Sequence, residues 1–170
     1  TYKKLKIFSE NKSKIIEKLK SLSKQEADKL YDEYLEENKK FCEYLMQTEA
    51  FFNHYMDLFE SSTKAKFQEA KKILNEYGLT IIDIQGEFFP HITSNFYYEI
   101  FKDYVSDEYR DYLKLTSKDD DIEVMYMPTG LTTFEYNSII PLTIHEVGDK
   151  ILAFRSFLDK YPNTKFKGIF

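Results

Sequence analysis

Apolar residues recur at three- and four-residue intervals along most of this chain, and the breaks in that rhythm divide it into elements. Leu5, Phe8, Ile15, Ile16, Leu19 and Leu22 form the first series and predict an amphipathic helix. Ser23-x-x-Glu26 then has the form of a capping box, in which the hydroxyl accepts a backbone N–H of the new helix and the carboxylate reaches back to the Ser N–H. The second series runs through Ala27, Leu30, Tyr31, Tyr34, Leu35, Phe41, Cys42, Leu45, Phe52, Tyr55, Met56 and Phe59 without Gly or Pro. At 1.5 Å per residue such a helix would reach on the order of 50 Å. Ser61-Ser62-Thr63 supplies another cap, and Phe67, Ala70, Ile73, Leu74 and Tyr77 predict a third helix that Gly78 closes in left-handed conformation.

The period then changes. "LTIIDIQGEFFPHI", residues 79–92, is β-branched and aromatic around Gln85-Gly86 and predicts a short hairpin, with Pro90 tolerated at an edge or a strand end. Ser94 or Asn95 is expected to cap a fourth helix carrying Phe96, Tyr97, Ile100, Phe101 and Tyr104. Ser106, followed by Asp107 and Glu108 where the helix dipole favours negative charge, starts a fifth with Tyr109, Tyr112, Leu113 and Leu115 on its inner face. Residues 117–142 read as irregular, with an acidic run and a Pro128-Thr129-Gly130 turn. Thr143-x-x-Glu146 is a second capping box, opening a last helix through Val147, Ile151, Phe154, Leu158 and Tyr161 that ends before Pro162. The expectation is a mainly α fold: a single domain over residues 1–170, an antiparallel bundle of five or six helices with one small β-hairpin near residues 79–92.

Composition adds the nature of the core. With 15 Phe, 14 Tyr and no Trp among 170 residues, much of the interior must be built from rings. A chain of this length buries roughly 70% of its unfolded surface, so it needs neither disulfide nor metal to fold. Charge is uneven: residues 1–24 hold eight Lys against Glu10 and Glu17, a formal +6 in a chain of net −5. A lysine-rich leading segment suits a solvated helix face, an acidic partner or an anionic membrane surface. Nucleic acid is disfavoured as a partner, because bidentate phosphate and guanine recognition prefers Arg and only Arg110 and Arg155 are present. No apolar run is long enough for a membrane span.

"HEVGD", His145 to Asp149, departs from the zinc-protease pattern H-E-x-x-H in its last residue, and Glu146 is already committed to a capping box, so no metal is assigned. His54 and Asp57, with Glu49 and Asn53 nearby, could pair on one helical face but read better as a polar border. Asp119, Asp121 and Glu123 alternate as at the start of a calcium loop, yet Val124 and Gly130 stand where that loop needs Gly and an acid. Cys42 is the lone cysteine and falls on an apolar helical phase, where a thiol is an inert small hydrophobe. No catalytic residue, cofactor or phosphate loop is therefore assigned.

"GEFFPHITSNFYYEIF", residues 86–101, is the most site-like stretch. Its helical rings have core spacing, whereas on a strand one of Phe88 and Phe89 must face in and the other out. Phe88, Phe89, His91 and Tyr98 are the candidate ligand-binding residues, with a one-residue slip in register deciding between the two Phe. The reading is a non-enzymatic domain that binds a protein or small ligand through the hairpin and adjoining helices. Its rival is a hydrolase using scattered Asp, Glu and His.

Two segments carry a resemblance: "YGLTIIDIQGEFFPHITSNFYYEIFKDYVSDEYRDYLKL" and "TIHEVGDKILAFRSFLDKYPNTKF". Through Gly86, Val105-Ser106-Asp107-Glu108, Tyr112-Leu113 and Phe157 to Thr164, they resemble helical bacterial cell-envelope proteins of the lipoprotein type. Phe88-Phe89-Pro90-His91 departs from the Tyr-rich, acidic version of that pattern. The C-terminal segment also resembles the end of a tetratricopeptide-type unit, without a second copy at a 34-residue period. The first resemblance implies export and lipid anchoring upstream of Thr1, with peripheral membrane association through the lysine-rich segment. The alternative is a cytoplasmic protein, if no signal precedes that residue.

Overall fold

A computed structural model describes residues 2–47, 72, 74–84, 87–117 and 144–169. In order they form α1 (Tyr2–Leu19), α2 (Lys24–Gln47), β1 (Leu79–Ile84), β2 (Glu87–Ile92), α3 (Ser94–Phe101), α4 (Asp107–Thr116), α5 (Ile144–Lys160) and a closing 3-10 helix (Lys165–Ile169). Among the described residues the protein is mainly helical with one two-stranded antiparallel sheet, as its periodicity predicts. The second helix beyond residue 47, the Ser61-Ser62-Thr63 cap and most of the third helix lie outside the described residues. So do Gln85-Gly86, the acidic run, the Pro128-Thr129-Gly130 turn and Thr143.

Local chemistry sets the element boundaries. The last turn of α1 tightens through i→i−3 bonds from Lys20, Ser21 and Leu22. The capping box follows at once: the Ser23 N–H donates to Glu26 Oε2 at 2.9 Å, and the Glu26 N–H donates to Ser23 Oγ at 3.4 Å. The chain thereby reverses within four residues, so α1 lies antiparallel to α2 and Phe8 stacks on Phe41 with centroids 5.2 Å apart. Gly78 has φ +77°, and a Cβ there would stand 2.1 Å from the Phe96 ring. Glycine is thus required twice, for the left-handed turn and for the approach of a core aromatic.

β1 and β2 pair from Leu79↔Ile92 to Ile84↔Glu87. The chain leaves the hairpin at Thr93, whose N–H and hydroxyl both donate to the Gly78 carbonyl. This corrects the expected cap of α3. Thr93, not Ser94 or Asn95, is the N-cap residue, and its hydroxyl makes no cap bond because it is turned to Gly78. Tyr104 likewise lies beyond α3, in the turn after Phe101, though it still packs against the core. Ser106 occupies the N-cap of α4 without a side-chain bond. Its N–H donates to Asp28 Oδ1 at 2.9 Å and ties α4 to α2.

Rings fill the interior. Phe96 stacks on Phe8 at 5.4 Å and meets Tyr97 edge-on at 5.4 Å. Tyr31 presents its edge to Tyr97, Phe101 and Tyr109 at 5.8, 5.4 and 5.7 Å. Such edge-to-face pairs add to the area burial because ring edges and faces carry opposite partial charge. Phe101, Leu79, Leu19, Val105 and Leu113 are almost wholly buried around them.

Leu158 of the last helix and Tyr161 at its end pack against the core as their phase predicts, but Ile151 does not. Phe157 is buried beside Tyr112, whereas Ile151 is 61% exposed and so is its neighbour Leu152. The C-terminal end of α5 is held by Phe157 and by Tyr161 and Lys160 on Asp111.

Candidate functional site

The stretch singled out by sequence divides between interior and surface. Phe96, Tyr97, Ile100 and Phe101 are core, as their spacing predicts. His91 is exposed, opposite Thr80 in the hairpin register. Tyr98 is half-buried against the core, with the Lys102 ammonium 5.3 Å above its ring. Along β2, Phe88 falls in step with Pro90 and Ile92, both buried, and Phe89 with the exposed His91. The side chains of Phe88 and Phe89 themselves lie outside the described residues. The hairpin thus displays His91, and α3 displays part of Tyr98.

Burial governs the titration of the interior hydroxyls and the thiol. Desolvation pushes the Tyr34 phenol up to about 12, opposed by Asn38 nearby, yet no geometry at the Tyr34 oxygen qualifies as a hydrogen bond. Tyr97 is pushed up for the same reason, against the opposing effect of Asn38, which donates to its hydroxyl at 3.2 Å. Asn38 is 3% exposed, a buried amide satisfied by a ring that lies 59 residues further along the chain. Burial, with Glu43 beside it, raises the Cys42 thiol to about 12, so it stays protonated and unreactive at neutral pH.

A second place on the surface was not foreseen. An open depression of about 330 Å³ is lined by Asp32, Leu35, Glu36, Tyr112, Lys165 and Phe166. The stacked Tyr112 and Phe166 rings, 3.7 Å apart and nearly parallel, join α4 to the closing 3-10 helix here. Asp32 accepts from the Tyr109 hydroxyl at 3.0 Å and from the Lys165 ammonium, and that ammonium also lies 4.7 Å over the Tyr109 ring. The same Tyr–Asp–Lys grouping recurs between α4 and α5. Asp111 accepts from Tyr161 at 2.8 Å and Lys160 at 2.7 Å, with Lys160 5.0 Å over the Tyr161 ring. Partial burial raises the Asp111 pKa, but the Lys160 and Tyr161 donors lower it more, so the net direction is down. Burial, then the Asp32 hydrogen bond, pushes Tyr109 up. Both carboxylates are thereby engaged as ties between elements.

The remaining candidates do not assemble. His145 and Asp149 are exposed on α5, and among the described residues no three His, Cys, Asp or Glu side chains are grouped to hold a metal ion. His54, Asp57, Glu49, Asn53, Asp119, Asp121 and Glu123 lie outside the described residues. No protein-family model, curated protein or solved structure matches the chain.

Proposed function

We propose that this chain is a non-enzymatic, envelope-associated domain that binds a protein partner rather than a small molecule. The observation that carries the protein half of this reading is the aliphatic pair Ile151 and Leu152 on α5, each 61% exposed beside the half-buried Phe154. Adjacent exposed aliphatics on one helix suit a flat, water-excluding contact with another chain. His91 and Tyr98 add aromatic and polar contact area at the hairpin, where the candidate ligand-binding residues were placed. The open depression supports a protein over a small molecule too, since Asp32 is occupied by Tyr109 and Lys165 and the Tyr112 and Phe166 rings are themselves buried. Placement in the envelope rests on the resemblance of the two segments quoted above.

A photo-crosslinking residue placed at position 152, at position 98 and at the exposed Lys114 tests this in cells making the full chain. Discrete adducts at 152 or 98 and none at 114 are expected. Equal labelling at all three, or none at 152 and 98, overturns the reading. Turnover of ester, glycoside or phosphate substrates that is lost in Asp32→Asn would replace it with the hydrolase.

A further inference from the structure

We propose that α1 docks the domain peripherally on an anionic bilayer, with the stripe Ile7, Asn11, Lys14 and Lys18 against the lipid. These positions are spaced i, i+4, i+7 and i+11, share one helical face, and are all exposed, Ile7 at 41%. The core takes a different face, about a third of a turn round the helix, through Leu5, Phe8 and Leu19. Glu17 and Lys20 neutralise each other at 2.6 Å, Glu10 borders the stripe as the opposing charge, and Lys6 lies beyond it. The charge of the whole chain sets the orientation. With +6 in residues 1–24 and a net of −5, the remaining residues carry −11, so an anionic surface attracts this segment and repels the rest.

Two features favour lipid over other polyanions. The cations are lysines, which act as point charges on a diffuse surface and lack the planar fork suited to nucleic-acid phosphates and bases. Ile7 stands exposed within the basic stripe, where an aliphatic group can enter the interfacial region of a bilayer. Among the described residues no helix is long and apolar enough to cross a membrane, so this contact would be peripheral.

Co-sedimentation with phosphatidylcholine vesicles containing one third phosphatidylglycerol tests the assignment. Binding is expected to these vesicles and not to pure phosphatidylcholine, and to fall as salt shortens the screening length from about 8 Å to about 3 Å. Lys14→Glu/Lys18→Glu should weaken it by at least about 25-fold, since each basic residue near such a surface contributes about five-fold. Ile7→Ser should weaken it at every salt concentration, while the charge-neutral change Asn163→Ser, at an exposed position past the last long helix, should leave it unchanged. Circular dichroism confirms that each variant is folded. Equal binding to both vesicles, undiminished binding of the double variant, or capture by polyglutamate in place of vesicles overturns the proposal.

Discussion

The ring-filled interior under α1, α2 and α3 and the middle of α5 both carry large apolar residues on helices and meet opposite fates. In the interior, Phe8, Tyr31, Tyr34, Phe96, Tyr97 and Phe101 close on one another from several elements, and each is at most 6% exposed. On α5, Ile151 points to solvent although its spacing is equally good, and so does its neighbour Leu152. Periodicity reports that a helix has an apolar face, and the presence of a second face determines whether it is buried. Phe157, Tyr161 and the Asp111 tie give α5 such a second face at its C-terminal end.

The comparison can be broken most severely at its buried side. Phe101→Ala removes a fully buried ring and is expected to lower unfolding free energy by about 3–5 kcal/mol in a denaturant titration, through lost transfer energy and a cavity. Gly78→Ala should follow at about 2–3 kcal/mol, since it forces an L residue into the left-handed region and drives a methyl group at Phe96. A paired measurement then separates two buried phenols. Tyr97→Phe should cost about 1–2 kcal/mol by stranding the Asn38 amide, whereas Tyr34→Phe should cost nothing or stabilise, because its hydroxyl has no qualifying hydrogen-bond partner.

Smaller effects are expected at the α5 attachment. Asp111 has a folded pKa depressed below its ordinary value, so its contribution is present above the unfolded pKa and is lost as pH falls through the folded one. Lys160 is raised by the same contact, so its share is complete below its ordinary value and is lost as pH rises through the folded pKa. Asp111→Asn should therefore flatten the acid limb of a thermal-melt pH profile by a modest amount, with the plateau near neutrality slightly lower. Smallest of all, Ile151→Asp with Leu152→Asp should leave stability within about 0.5 kcal/mol of the parent. A large loss in that variant would mean that the exposed turns belong to the core and would erase the contrast.

What was legible in the sequence was what neighbours determine. The Ser23/Glu26 box, the left-handed turn at Gly78 and the end of the last helix before Pro162 rest on residues a few positions apart, and the 79–92 hairpin on two strands adjacent in the chain. What escaped rests on long separations. Nothing in the series around Asn38 points to Tyr97, and nothing in "NTKF" announces that Lys165 will reach Asp32 and Phe166 will lie on Tyr112. Thr93 shows the two regimes in competition: Ser94 and Asn95 were sound local caps, and a carbonyl fifteen residues back at Gly78 shifted the boundary. The candidate site was legible in part. His91 was placed on the surface as expected, while the depression at Asp32 needed the C-terminal segment folded back in three dimensions.

That return of the C-terminal segment orders events during synthesis. Asp32 leaves the ribosome early on α2, but the ammonium that joins it belongs to a residue 133 positions later. At translation speeds of about 5–20 residues per second, the carboxylate waits on the order of ten seconds for that partner. The α1–α2 pair, fastened by its own capping box and ring stack, can form in that interval. The rim of the depression, by contrast, is finished only when Lys165 and Phe166 have been made.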